Sequence, residues 1–256
     1  MRKFSINRTG DAIGDHMMAA FFVQMLNDNG IPAVYGTPHY RSLVDVPLSS
    51  PDENYEEFYF FYHDGPIDNP TFNREKTILE LVTERFKAQF AISQPISIHT
   101  EYVPVKYEDE ELIQGYDVAM VTRSGVWTRV RDWPFFDELK QQLDVKKINY
   151  IDLTASNVRN NACLNYVSKS KVYLGLETGV SHYVSQVVSR GLILQSGYSD
   201  IDFWCPYDYE HIEHRLPCSK CFIHCKTRPY SCPNEHRCMR EISVEEVVRN
   251  IERLLE

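Results

Sequence analysis

Short apolar runs alternate with amphipathic stretches along nearly the whole chain, and turn residues, often glycine, stand where the runs end. That rhythm constrains the fold more than any other feature, because strand, helix, strand, repeated, implies parallel sheets covered by helices. Phe4-Ser5-Ile6 opens as a strand. A helix follows with Ile13, Met17, Met18, Phe21, Phe22, Met25 and Leu26 at helical spacing, closed by Asn29-Gly30. Ile31–Tyr35 and the run Phe58–Tyr62 read as strands, Asn73 caps a helix carrying Ile78, Leu79, Val82, Phe86 and Phe90, and Ser97–Val105 reads as a strand. The charged segment Tyr107–Gln114 is a linker candidate.

A second cycle starts at Tyr116. Strands are expected over Asp117–Thr122, Asn149–Leu153, Val172–Leu176 and Leu192–Gln195, with helices opened by Trp133-Pro134, over Asn157–Val167 and after Gly179. Ser243 and Glu246 read as a capping box for a last helix with Val244, Val247, Val248, Ile251, Leu254 and Leu255 inward. The expected architecture is therefore α/β, with two Rossmann-like domains: residues 1–110, residues 116–242, and a C-terminal helix over 243–256. Units of this kind bind ligands at the carboxyl ends of their strands, so the turns there are where chemistry is sought.

Composition excludes several classes. With 43% hydrophobic and 12% aromatic residues the chain is not a disordered one, and its apolar runs are too short to span a bilayer. The N-terminal residues turn polar before a signal-peptide core can form, so a cytoplasmic protein is the expectation. The 27 basic and 36 acidic residues leave −9, which argues against a broad nucleic-acid-binding face.

Six of the seven cysteines lie between Cys205 and Cys238, with Cys163 alone upstream. In a cytosolic chain such a cluster reads as metal ligands or redox groups before disulfides. Cys218-x2-Cys221 followed by Cys232-x5-Cys238 can place four thiolates around one tetrahedral ion, with Cys225, His224 and His236 near enough in sequence to substitute. Structural zinc is the default and iron the alternative. Cys163 and Cys205 read as plain buried residues.

Three strand-end turns carry reactive groups. In Arg8-Thr9-Gly10-Asp11-Ala12-Ile13-Gly14-Asp15 a carboxylate, Asp11 or Asp15, can act as general base or merely cap the helix. Thr122-Arg123-Ser124-Gly125, continuing through Arg129 and Arg131 to Trp133-Pro134, offers hydroxyls and guanidinium groups suited to phosphate, or a solvated charge run. Glu177-Thr178-Gly179-Val180-Ser181-His182 offers turn amides, a hydroxyl and an imidazole suited to a pyrophosphate or ribose, against a structural histidine.

Taken in order, these turns resemble the ADP-heptose:lipopolysaccharide heptosyltransferase family of GT-B glycosyltransferases. Its Gly-Asp is matched by Gly14-Asp15, and the distance on to Gly30-Ile31-Pro32 favours Asp15 over Asp11. Its Lys-x-Trp-Pro is matched by Arg131-Asp132-Trp133-Pro134 and its Asp-Thr-Gly-x-x-His by Glu177 to His182, with Arg for Lys and Glu for Asp. Cys238-Met239-Arg240-Glu241-Ile242 and the terminal helix also resemble its C-terminal end. The likeness spans 116–256 and, less closely, 1–36.

The resemblance implies two facing Rossmann-like domains in a compact GT-B fold with a reduced N-terminal half. Asp15 would be the base of an inverting transfer that needs no catalytic metal. Arg131, Glu177, Thr178, Gly179 and His182, with Thr122 and Ser124, would hold a nucleotide-sugar donor such as ADP-heptose. Cys218, Cys221, Cys232 and Cys238 would hold a structural zinc or iron. The acceptor would be a glycan, a lipid-linked sugar or a protein, with peripheral membrane association compatible. A nucleobase acceptor, such as a modified phage base, fits the negative charge least. The competing reading is a zinc-stabilised module that binds a nucleotide-sugar or glycan without catalysis. An NAD-dependent oxidoreductase is disfavoured by the missing GxGxxG.

Overall fold

A computed structural model describes residues 2–9, 13–41, 43–61, 76–99, 115–124, 131–154, 161–185, 187–188, 190–199, 209–221, 232 and 234–256. The described residues up to 99 belong to one compact unit and those from 115 onward to a second. Both units are α/β with wholly parallel sheets.

In the first unit, β1 (Phe4–Asn7) lies between β2 (Ala33–Tyr35) and β3 (Glu56–Tyr59), with Phe4 opposite Ala33 on one side and Glu56 on the other. Helix α1 (Ile13–Asp28) is buried without a break from Asp15 to Val23, and residues 17–23 of that run are apolar on every face. It stops at Gly30, whose φ of 71° lets the Ile31 N–H return to the Leu26 carbonyl at 2.9 Å. Helix α2 (Ile78–Phe90) begins at Thr77, not Asn73, which lies outside the described residues. Thr77 Oγ1 accepts from the Glu80 N–H at 3.2 Å, and the Glu80 carboxylate accepts from the Thr77 N–H at 2.7 Å. Two orphan amides satisfied reciprocally outweigh a single asparagine cap. Phe86 of α2 meets Phe4, Phe22 and Phe58 at 4.9, 5.7 and 5.3 Å, edge to face, and these rings form the centre of the core.

Two expected strands change. β3 begins two residues before Phe58 and ends at Tyr59, which is exposed, because an edge strand buries only alternate side chains. Ser97–His99 is not strand: the Ser97 N–H and C=O pair with the Asn29 side-chain amide at 2.7 and 3.0 Å, which supplies what a neighbouring strand would have. The rest of that stretch and the linker candidate 107–114 lie outside the described residues.

The second unit holds β4 (Val118–Met120), β5 (Tyr150–Asp152), β6 (Val172–Leu176), β7 (Gly191–Gln195) and β8 (Glu210–Glu213) in the order β5-β4-β6-β7-β8. β4, β6 and β7 are buried throughout, which is why they read as continuous apolar runs. β8, Glu-His-Ile-Glu, has one apolar residue and gave no sequence signal. The helices are α3 (Phe136–Val145), α4 (Asn161–Ser168), α5 (Gly179–Val184), α6 (Arg237–Arg240) and α7 (Val244–Leu255). The expected start of α4 at Asn157 lies outside the described residues. Ser243 Oγ accepts the Glu246 N–H at 3.1 Å, while the Glu246 carboxylate lies 3.3 Å from the His214 ring. Val247 and Ile251 of α7 are fully buried in the core that includes Leu174, Leu192 and Leu139. Among the described residues no helix is long and apolar enough to cross a membrane.

In each sheet the first strand is flanked by the second on one side and the third on the other. The order reverses at β1/β3 and again at β4/β6, and crevices open at the carboxyl ends of such pairs.

Candidate functional site

At the β1/β3 reversal, the Phe60 N–H donates to the Asn7 carbonyl at 2.7 Å, so the residues leaving both strands are held together. Arg8 leaves β1 there, and its Nη2 donates to Oδ2 of Asp15 in the first turn of α1. The side chains of Arg8 and Asp15 are 13% and 9% exposed, a nearly enclosed ion pair. Arg8 is itself fixed from several sides. Its N–H donates to Thr37 Oγ1 at 2.6 Å, its carbonyl accepts the Thr37 hydroxyl at 3.1 Å, and its guanidinium lies 4.9 Å from the Phe61 ring centre. The carboxylate expected as a base is therefore rigidly aimed, with Oδ2 committed to Arg8. The neighbouring His16 is fully buried, its Nδ1 2.6 Å from the Tyr35 hydroxyl, which donates to the His39 carbonyl at 2.9 Å. Asp11 lies outside the described residues.

At the β4/β6 reversal, Thr122 follows β4 and its hydroxyl donates to Asp152, at the end of β5, 3.1 Å away. Lys140 Nζ reaches the same carboxylate at 2.7 Å. Ser124 donates both its N–H and its hydroxyl to Asp132 Oδ1, at 2.7 and 2.6 Å. Thr122 and Ser124 are thus each tied to a carboxylate. Arg129 lies outside the described residues.

Arg131, Glu177 and His182 come together although 51 positions of chain separate the first from the last. Trp133 anchors the arginine segment, its Nε1 donating to the Ile242 carbonyl at 3.0 Å and its ring 5.0 Å from Phe136. Arg131 Nη1 lies 3.7 Å from Glu177 Oε1, and its guanidinium sits 5.2 Å from the centre of the Tyr198 ring. Glu177 is 1% exposed, and its carboxylate accepts from Gln195 Nε2 at 2.9 Å, Ser196 Oγ at 3.3 Å and the Ser199 hydroxyl. Burial, with Arg131 adding to it, pushes the His182 imidazole down to about 3, so it is neutral near neutral pH. Thr178 is the N-cap of α5. Its hydroxyl lies 3.4 Å from Ser181 Oγ, which donates to the Leu176 carbonyl at 2.5 Å and keeps the turn after β6 tight.

The cysteines divide as expected in part. Cys163 is buried and its thiol is pushed up to about 12 by that burial, the behaviour of a plain core residue. Cys205, like His224 and Cys225, lies outside the described residues. Burial also raises the Cys238 thiol; the Gly197 and Met239 amides that donate to its sulfur oppose that, and Cys232 and Cys218 are close enough to add to it. Lys220, between Cys218 and Cys221, and His236, just before Cys238, take left-handed backbone, φ 63° and 58°. Among the described residues, however, no three His, Cys, Asp or Glu side chains are spaced to hold a metal ion.

Sequence reasoning missed Arg8 as the partner of Asp15, and Asp152, Lys140, Tyr198 and Ser199 as supports. Arg8 stands in the first turn quoted above without being read as a partner; the other four belong to none of the quoted turns and meet the site only through the fold.

No protein-family profile and no curated protein sequence matches the chain. Solved structures do. The iron-containing dodecameric glycosyltransferase TibC from enterotoxigenic E. coli H10407 superposes with a TM-score of 0.71 at 13% identity, over 99% of this chain and 76% of TibC. The complex of TibC, a dodecameric heptosyltransferase, with ADP-D-beta-D-heptose gives 0.68 at 12%, over 100% and 77%. A family 9 glycosyl transferase from Veillonella parvula DSM 2008 gives 0.59 at 10%, over 99% and 97%. At these identities the likeness establishes a shared α/β fold.

Proposed function

We propose that the chain is a glycosyltransferase that moves a sugar, heptose-like in class, from a nucleoside diphosphate donor to an acceptor hydroxyl. The observation that carries this reading is that both parallel sheets gather chemistry-bearing side chains at the carboxyl ends beside their order reversals. One reversal has a fixed carboxylate, Asp15, and the other has an arginine and a Gly-containing helix-start turn. The shared fold with a protein solved in complex with ADP-heptose supports the donor class. The two units, on this reading, are the halves of a GT-B enzyme.

The mechanism follows from the groups. Asp15, held by Arg8, takes the proton of the acceptor hydroxyl through its second oxygen as that hydroxyl attacks the anomeric carbon. The glycosidic bond to the diphosphate breaks on the opposite face, so the anomeric configuration inverts. Negative charge grows on the departing diphosphate, and Arg131 with the turn amides at Thr178-Gly179 stabilises it. His182, neutral at this depth, contributes a hydrogen bond instead of a charge. Thr122 and Ser124 lie at the same strand ends and complete the donor side, while enclosed Glu177 supports Arg131 from behind. A structural zinc or iron on Cys218, Cys221, Cys232 and Cys238 belongs to the same proposal; it requires these thiols to draw closer together than the described arrangement places them, and it takes no part in the transfer. The acceptor is a glycan, lipid-linked sugar or protein hydroxyl.

The decisive variant is Asp15→Asn, which keeps shape and removes the base. Transfer falls by about 10²–10⁴-fold while donor binding persists. Transfer at the wild-type rate by Asp15→Asn refutes the assignment.

A further inference from the structure

The segment Gln195–Ser199, which runs from the last residue of β7 through the turn after it, touches two features that sequence keeps apart. On one side it meets the donor groups. Ser196 and Ser199 donate to the Glu177 carboxylate, and the Tyr198 ring lies 5.2 Å beneath the Arg131 guanidinium. On the other side it meets the cysteine loop. The Gly197 carbonyl accepts the Cys221 N–H at 3.2 Å, and the Gly197 amide donates to the Cys238 sulfur. The two contacts fall on consecutive residues of a fully buried segment. A Cβ built on Gly197 would lie 3.1 Å from Ser219 Oγ and 3.5 Å from the Cys238 Cβ, so the cysteine loop is packed directly against this turn. Five residues cannot shift on one face and stay fixed on the other, because a buried hydrogen-bonded turn has few alternative arrangements.

We propose that Tyr198 and Glu177 are positioning residues for Arg131, and that the Gln195–Ser199 turn transmits the arrangement of the cysteine loop to that arginine. The inference rests on the reading of Arg131 as a diphosphate ligand. It goes beyond that reading by giving the Tyr198 ring a positioning role and by tying diphosphate affinity to the arrangement of the cysteine loop. A guanidinium held between a carboxylate and an aromatic face has one orientation available, and a flexible one gives up affinity on each binding event.

The test measures binding of ADP and of adenosine by calorimetry, together with amide hydrogen exchange of the ligand-free protein. Tyr198→Leu weakens ADP about tenfold and leaves adenosine unchanged, Tyr198→Phe keeps the ring and restores ADP affinity, and in an Arg131→Ala background Tyr198→Leu has no further effect. Equal losses for ADP and adenosine, or full additivity with Arg131→Ala, overturn the proposal. Cys238→Ser raises exchange at Arg131–Trp133 and at Glu177–His182 more than in α3. Unchanged exchange at these segments, or a uniform rise across the unit, overturns the coupling. If the wild type binds no ADP, the donor reading falls, and the exchange measurement still decides whether the turn links the two features.

Discussion

His182 gives the turn after β6 a measurable signature in acid. Its imidazole is pushed from 6.5 to about 3, first by burial and then by the Arg131 charge. As pH falls below 6.5 the unfolded chain takes up a proton that the folded protein refuses. Stability is therefore lost between pH 6.5 and 3, with a slope approaching 1.4 kcal/mol per pH unit. Between pH 7.5 and 5 the loss amounts to about 2 kcal/mol, since at pH 5 the unfolded imidazole is almost wholly charged and the folded one is not. Carboxylates titrate over part of the same range, so the comparison needs a partner that lacks only this group. His182→Gln keeps a buried amide and removes the titration. Urea unfolding of both proteins at pH 7.5 and 5 isolates the effect as the change in their stability difference. The variant gains about 2 kcal/mol on the wild type in acid. Parallel pH profiles would refute the reasoning, and with it the neutral imidazole beside the proposed donor.

Other perturbations reach different parts of the account. Arg8→Met leaves the Asp15 carboxylate enclosed without its cation; it lowers stability by about 3 kcal/mol in urea unfolding and reduces transfer, and an unaltered melting curve contradicts the enclosed ion pair. Gly175→Ala in β6 puts a methyl against the ring of fully buried Tyr173, at 2.5 Å from its hydroxyl, and costs about 1–3 kcal/mol, read as a lower melting temperature. Metal analysis of the purified protein finds about one zinc or iron per chain, lost in Cys218→Ser. A chain that folds metal-free with unchanged stability removes that part of the proposal.

Much of the second unit was legible from residues alone, because its central strands are buried on both faces and so appear as unbroken apolar runs such as Val172–Leu176. The edge strand β8 was invisible for the opposite reason: only Ile212 of its four residues turns inward. Helix α2 shows how one cap displaces another, since the Thr77–Glu80 pair satisfies two amides where Asn73 promised one. Local spacing also located the turns at Asp15, Thr122 and Thr178, as chemistry at strand ends follows from chain order. What spacing could not give was pairing across the sheet. Arg8 reaches Asp15 because α1 returns over β1, and Tyr198 reaches Arg131 because β7 lies two strands from β4. Glu177 reads as a ligand-facing acid at a turn, yet Gln195, Ser196 and Ser199 enclose it, a fact that resides in the sheet order.

On the proposed reading, the chain binds a nucleoside diphosphate sugar through Arg131 and transfers the sugar with Asp15. Calorimetric titration with a panel of such sugars, ADP-heptose among them, tests it most directly, using wild type, Arg131→Ala and Asp15→Asn. Wild type and Asp15→Asn bind at least one donor saturably, and Arg131→Ala loses that binding severely. Absence of binding across the panel at millimolar donor, or undiminished binding by Arg131→Ala, would contradict it.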